Sequence, residues 1–310
     1  MKKTQLIGIL SGLLCAAMLF TACGSSEEKK NGSENGAQSG EQGDVNDDND
    51  NNTPDPEINV DASLLIKLDD GNTDVGQSGA TYEDCVLKIT KPGVYRLQGK
   101  LTDGQVQVSV DKTEVVELIL DGCEITCKTS AAIYCSSADK LYITAAEGSK
   151  NLLSDGLNYI YPAVGTDEPN ACIFSDDDIT LRGSGSLTVN GNFNNGISSK
   201  NDIKVKDLTL TVNAKNTGMR GKDSVEINSG TVTVDAKKDG LKANREDKPG
   251  KGYIEINGGV VTISAGDDAM QAFASIAVDN CTLSINAGGK YYNCYSGDDY
   301  VTIGRYVEIA

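Results

Sequence analysis

Residues 196–217 read GISSKNDIKVKDLTLTVNAKNT and residues 218–239 read GMRGKDSVEINSGTVTVDAKKD, and a third stretch opens Gly240-Leu241. Each stretch begins with Gly and an aliphatic residue, and both steps are 22 residues. The next opening, Ala269-Met270, comes after 29 residues, the excess being the polar, Pro-bearing loop Arg245 to Lys251. Earlier openings are Ala132-Ile133 and Ala171-Cys172-Ile173, with a long loop near Asn151 to Pro169 between them. Inside each unit the apolar residues alternate: Ile203, Val205, Leu208, Leu210, Val212; then Val225, Ile227, Val232, Val234; then Ile254, Ile256, Val261, Ile263; then Ile276, Val278, Leu283, Ile285. Period two in Val, Ile and Thr is strand, and Ser229-Gly230, Gly258-Gly259 and Asn280-Cys281 supply the turns between strands.

A 22-residue unit with two or three short strands cannot bury its own apolar face. Stacking on its neighbours gives each strand a parallel partner and the aliphatic rows a continuous interior. The expected fold is all-β, a parallel β-helix over residues 58–293, wound right-handed as parallel crossovers are. A sandwich or barrel predicts hairpins and no fixed period, and a leucine-rich repeat needs a Leu and Asn scaffold that this chain lacks.

Fixed register brings residues one unit apart to about 4.8 Å. The position before each opening holds Asn170, Asn195, Thr217, Asp239 and Asp268, with Asn194, Asn216 and Asp267 beside it, a ladder of oxygen-bearing side chains. Stacked amides bond one another. Asp239 and Asp268 instead repel by about 3 kcal/mol at an effective dielectric of about 20, so one protonates or a cation sits between them. Asp202 and Asp223, beside Lys200 and Lys222, are further candidate ligands. Calcium, with six to eight oxygens and tolerant geometry, suits this set better than magnesium; a merely solvated ladder is the alternative. Tyr134 and Phe174 fall in register on the outer face, where a sugar ring can stack or the loop bearing Tyr159 and Tyr161 can cover them. Lys200, Arg220, Lys222 and Lys242 recur after the openings and can meet a sugar carboxylate or pair with nearby aspartates.

Ahead of the repeats, residues 1–22 read as a leader: Lys2 and Lys3, an apolar run from Leu6 to Phe20, then Thr21-Ala22-Cys23. A small residue before Cys at the end of such a run is the lipoprotein pattern, so Cys23 is expected to carry a lipid and hold the protein at a bacterial cell surface; an ordinary cleaved leader is the alternative. Residues 23–57 are a polar tether without enough apolar surface to fold, and Asp44 to Asn52 lacks the Gly and Glu of a calcium loop. The net charge of −17 makes nucleic acid and anionic lipid poor partners, and the absence of His removes His-based triads and most zinc and haem sites. Seven Cys remain beyond Cys15 and Cys23, an odd and scattered set that reads as small core residues; Cys123 and Cys127 have no partner pair to complete a metal site.

Several segments together carry a resemblance: Gly93-Val-Tyr95-Arg-Leu97, Ala131-Ala-Ile-Tyr134 with Ala138-Asp-Lys-Leu-Tyr-Ile143, Glu147-Gly-Ser-Lys-Asn151, Asn170-Ala-Cys-Ile-Phe-Ser175, Gly183-Ser-Gly-Ser-Leu-Thr-Val-Asn-Gly191, Asn195-Gly-Ile-Ser-Ser-Lys200, Arg220-Gly-Lys-Asp223 and Asp239-Gly-Leu-Lys242. From about Ile58 to Gly289 the chain resembles the carbohydrate-binding β-helix family first described for a clostridial cellulose- and pectin-binding protein. The resemblance implies a right-handed, pectate-lyase-like β-helix that carries calcium and binds plant cell-wall polysaccharide without established cleavage. By position it points to Asp239 with Gly240 and Lys242, Asn195 with Lys200, and Asp223 with Lys222. Asn216-Thr217 departs from the family pattern, and residues 294–310 are expected to form an irregular end. The leading expectation is a monomeric, non-catalytic surface module for cellulose or polygalacturonate. The rivals are a calcium-dependent polysaccharide lyase with a Lys or Arg base, and a structural adhesin.

Overall fold

The computed structural model describes Glu57, residues 63–161, 163–297 and 300–304, and the backbone at 308 and 309. The leader, Cys23 and the tether up to residue 56 lie outside the described residues. Among the described residues all regular structure is β, and no helix is long and apolar enough to cross a membrane.

Three strands make one turn of the repeat. Met219–Gly221, Ser224–Ile227 and Gly230–Ala236 form one coil; Leu241–Ala243, Tyr253–Ile256 and Gly259–Ala265 form the next. A strand pairs with its equivalent one coil away, always in parallel: Ile197 with Met219, Met219 with Leu241, Val225 with Ile254, Val232 with Val261. This yields an all-β fold of long parallel ladders, consistent with a β-helix-like solenoid. The antiparallel strand pair is at the start, where Thr81–Glu83 lies against Val86–Ile89.

The alternation explains the interior. Ile203, Val205, Val225, Ile227, Ile254, Ile256, Val232, Val234, Val261 and Ile263 are fully buried, while Thr231 and Thr233 between them face outward. Each such aliphatic side chain contributes about 1.5–3 kcal/mol of burial. The 22-residue step keeps these rows aligned, because a slip of one residue would turn every inward side chain out. The opening residue is small for a steric reason. A Cβ on Gly218 would sit 2.3 Å from Val234 Cγ1 and 2.6 Å from Gly240 O, so the corner closes only over a bare backbone. At the turn before the third strand, Gly230 has φ of 100°, and its added Cβ would meet Leu208 O at 2.4 Å.

Six of the seven described cysteines are buried and Cys85 is exposed, and all seven are free thiols. Burial pushes the Cys123 thiol up to about 12, which removes it as a thiolate ligand. Two expectations change. Asn195 pairs in register with Ala171 rather than Asn170, because the earlier unit opens with one extra residue. The irregular end foreseen for 294–310 instead continues the ladders: Val301–Ile303 pairs in parallel with Ser275–Val278, and Glu308–Ile309 with Cys281–Ala287.

Candidate functional site

The position ahead of each opening lies at the corner between a third strand and the next coil's first strand. Gly218 N–H donates to Asp239 O at 3.0 Å, and Gly240 N–H donates to Asp268 O at 2.9 Å, so the two aspartates occupy adjacent rungs. Oxygens of Asp239, Asp267 and Asp268 lie within 4.8 Å of one another; Asp239 and Asp268 are buried and Asp267 is exposed. Asp268 accepts from the Lys290 N–H at 2.8 Å, from Gln271 Nε2 at 3.1 Å and from Asn293 Nδ2. Burial works against this carboxylate, but the three hydrogen bonds and the Lys290 charge outweigh it and hold Asp268 below the usual carboxylate range. Lys242 Nζ is 2.9 Å from Asp239 Oδ2.

Two further features fit a hard cation. Gln271 is 8% exposed, and its Oε1 has no hydrogen-bond partner although its Nε2 is bound to Asp268. A buried amide oxygen left unpaired costs about 1–3 kcal/mol unless something fills its place. Gly289 roofs the cluster: a Cβ there would lie 2.6 Å from Asp268 Oδ1 and 2.9 Å from Asp267 Oδ1. Three carboxylates and one amide are oxygen donors of the kind calcium takes, short of its six to eight, so water or a bound oxygen would complete the shell.

Beside this corner runs an outward-facing row on the ladder of first strands. Tyr134, Phe174, Ser198, Arg220, Lys242, Gln271 and Asn293 are consecutive partners, one per coil. The row passes from aromatic to cationic to amide, ending against the carboxylates.

The profile of the family described as carbohydrate-binding domain-containing protein matches residues 83–304. The chain belongs to this family. A carbohydrate-binding domain-containing protein of Acetivibrio thermocellus is 43% identical over 235 residues, which is 76% of this chain and 82% of that one. A solved structure titled as the polysaccharide lyase-like protein from C. thermocellum, gadolinium derivative, superposes with a TM-score of 0.77 at 38% identity, covering 80% of this chain and all of that one. The family membership read from eight short motifs is therefore shown.

Other sequence-derived site residues are distributed differently. Asn195 and Asn216 bond one another: Asn216 Nδ2 donates to Asn195 Oδ1 at 3.2 Å, and Asn195 Nδ2 donates to Asn170 Oδ1 at 3.3 Å. Their amides close a ladder of their own and do not join the carboxylates. Asp202 and Asp223 also stand apart, because Asp223 follows the first strand of its coil whereas Asp239 precedes the next one. Asp223 pairs with Arg245, with Lys248 and Lys251 both at 3.9 Å, and Asp202 pairs with Lys251 at 3.0 Å. The expected neighbours do not hold these aspartates. Lys200 turns to Glu168 and Asp176, and Lys222 is half-buried without an ion pair at Asp223.

The aromatic expectation is corrected too. Tyr134 and Phe174 are in register with ring centroids 5.9 Å apart, but Phe174 is 1% exposed and cannot offer its face to a sugar. Lys200 Nζ lies 5.8 Å from the Phe174 ring centre, held there by Glu168 of the long loop. Tyr159 of that loop stacks on Phe193 at 4.2 Å. Gln271, Asn293 and Lys290 were not among the sequence candidates. Their signal was the alignment of Lys242 with Gln271 and Asn293 one and two coils on.

Proposed function

We propose that this protein is a non-catalytic, calcium-dependent module for acidic plant cell-wall polysaccharide, built as a right-handed parallel β-helix and tethered to the bacterial surface through a lipid on Cys23. The observation that carries the reading is the triad Asp239, Asp267 and Asp268 with the unpaired Gln271 Oε1 at its edge, next to a row that bears Arg220 and Lys242. An acidic protein and an acidic polymer repel, and a divalent cation held by these residues would bridge them. The half-exposed Tyr134 at the far end of the row supplies apolar surface for a ring. The motif similarity and the carbohydrate-binding family support polysaccharide as the ligand.

The neighbour titled polysaccharide lyase-like raises cleavage as a second reading. A lysine base must lose its proton near neutral pH. Lys200 is placed the other way: burial lowers its pKa, but hydrogen bonds and charge from Glu168 and Asp176 outweigh this and raise it above the usual lysine value.

Binding to polygalacturonate and cellulose, with calcium and with a chelator, tests the proposal. Calcium-dependent retention on polygalacturonate without unsaturated, ultraviolet-absorbing product is the expected result. Retention indifferent to chelation sinks the bridging role, and unsaturated product replaces the module with a lyase. Loss of membrane association on Cys23→Ala checks the anchor.

A further inference from the structure

Lys242 belongs to two arrangements at once. Its Nζ neutralises Asp239 at 2.9 Å, with the Lys242 side chain 26% exposed and that of Asp239 8%. It is also a member of the outward row, between Arg220 and Gln271 in adjacent coils. A divalent cation that takes oxygens of Asp239, Asp267 and Asp268 meets this ammonium as a competitor. Two positive centres sharing one buried carboxylate repel more strongly than in water. The ammonium has a route out, because its four-carbon stem is flexible and partly exposed.

We propose that Lys242 is a placeholder cation that calcium displaces, and that the released ammonium, one coil from Arg220, then contacts a carboxylate of the acidic polymer. This rests on the cation reading above and adds an order to it: the metal first, the polymer second. It makes Lys242 a specificity residue, selecting acidic chains only when the cluster is filled. Linkage requires that polymer also tighten calcium.

Titration calorimetry of the protein with calcium chloride, comparing the native chain with Lys242→Met, tests this; Lys242→Gln serves if the first variant is unstable. Lys100→Met, which removes an exposed ammonium paired with Glu124, controls for net charge. Lys242→Met is expected to bind calcium about tenfold more tightly, as loss of a competing ammonium allows, and to lose polygalacturonate binding at saturating calcium. Lys100→Met is expected to change neither by more than about twofold. Unchanged or weaker calcium binding in Lys242→Met, with the native chain binding calcium, overturns the placeholder and leaves the cation site standing. Tighter calcium with unaltered polymer binding overturns the polymer contact. No calcium binding by either protein overturns the underlying cation reading itself.

Discussion

Two groups of aspartates lie at opposite ends of the first strand of the coil, and the protein treats them differently. At one end Asp202 and Asp223 are neutralised by Arg245, Lys248 and Lys251, all from the loop that lengthens one coil from 22 to 29 residues. Lys251 is half-buried, with its Nζ 3.0 Å from Asp202 and 3.9 Å from Asp223. Desolvation lowers its pKa, and the charges of Asp202 and Asp223 outweigh this and raise it. At the other end Asp239, Asp267 and Asp268 share Lys242 and a set of neutral donors. Stacked coils create repulsion wherever aspartates align. A loop long enough to fold back can quench it from within; a corner without such a loop has only Lys242 and neutral donors, and in the proposed function an external cation takes up the remaining charge.

The largest expected effect is at the quenched corner. Arg245→Ala leaves Asp223, with its side chain 3% exposed, short of its closest partner. Breaking such a pair costs about 3–5 kcal/mol, so the denaturant midpoint falls sharply, and an unchanged midpoint would mean that Lys248 and Lys251 suffice. At the open corner Asp268→Asn is expected to abolish the calcium response. The native protein is expected to gain about 2.7 kcal/mol at calcium 100-fold above its dissociation constant; the variant's melting temperature should not move with calcium.

Asp155 calibrates both corners, because it is buried and its partners among the described residues are neutral donors. It accepts from Tyr159 Oη at 2.7 Å and from the Asn192 and Phe193 N–H groups, yet desolvation dominates and raises its pKa from 3.8 to about 6. The folded state therefore holds a proton that the unfolded chain releases. Stability falls as pH rises from about 4 to about 6, by roughly 2 kcal/mol. Asp155→Asn should flatten that decline in melts taken across the window. Asp268, lowered instead, contributes stability present above its unfolded pKa and lost as pH falls through its folded pKa. The smallest effect is therefore in acid below pH 4, where the native protein loses slightly more stability than Asp268→Asn.

The repeat was legible because burial enforces it: each Val or Ile of the period-two pattern is held inward by the coils on either side. Asp239, Asp267 and Asp268 followed from counting units, since a carboxylate's rung is set by the opening Gly or Ala. The destination of Arg245 and Lys251 was not legible. The loop interrupts the period, and nothing local specifies that Lys251 reaches back 49 residues to Asp202. Phe174 was misread for a related reason. Alternation places it on the outer face, but Lys200 of the next coil lies over its ring, held by Glu168, a side-chain contact that pattern alone does not specify.

The short antiparallel strand Thr81–Glu83 has a consequence for self-association. A parallel ladder presents a row of unpaired amides at its last rung, a template on which another chain can grow. On the ladder of first strands the outermost strand is only three residues long, so its free edge offers an incoming strand too few backbone groups to grow on. That edge is thereby blunted against end-to-end fibre growth.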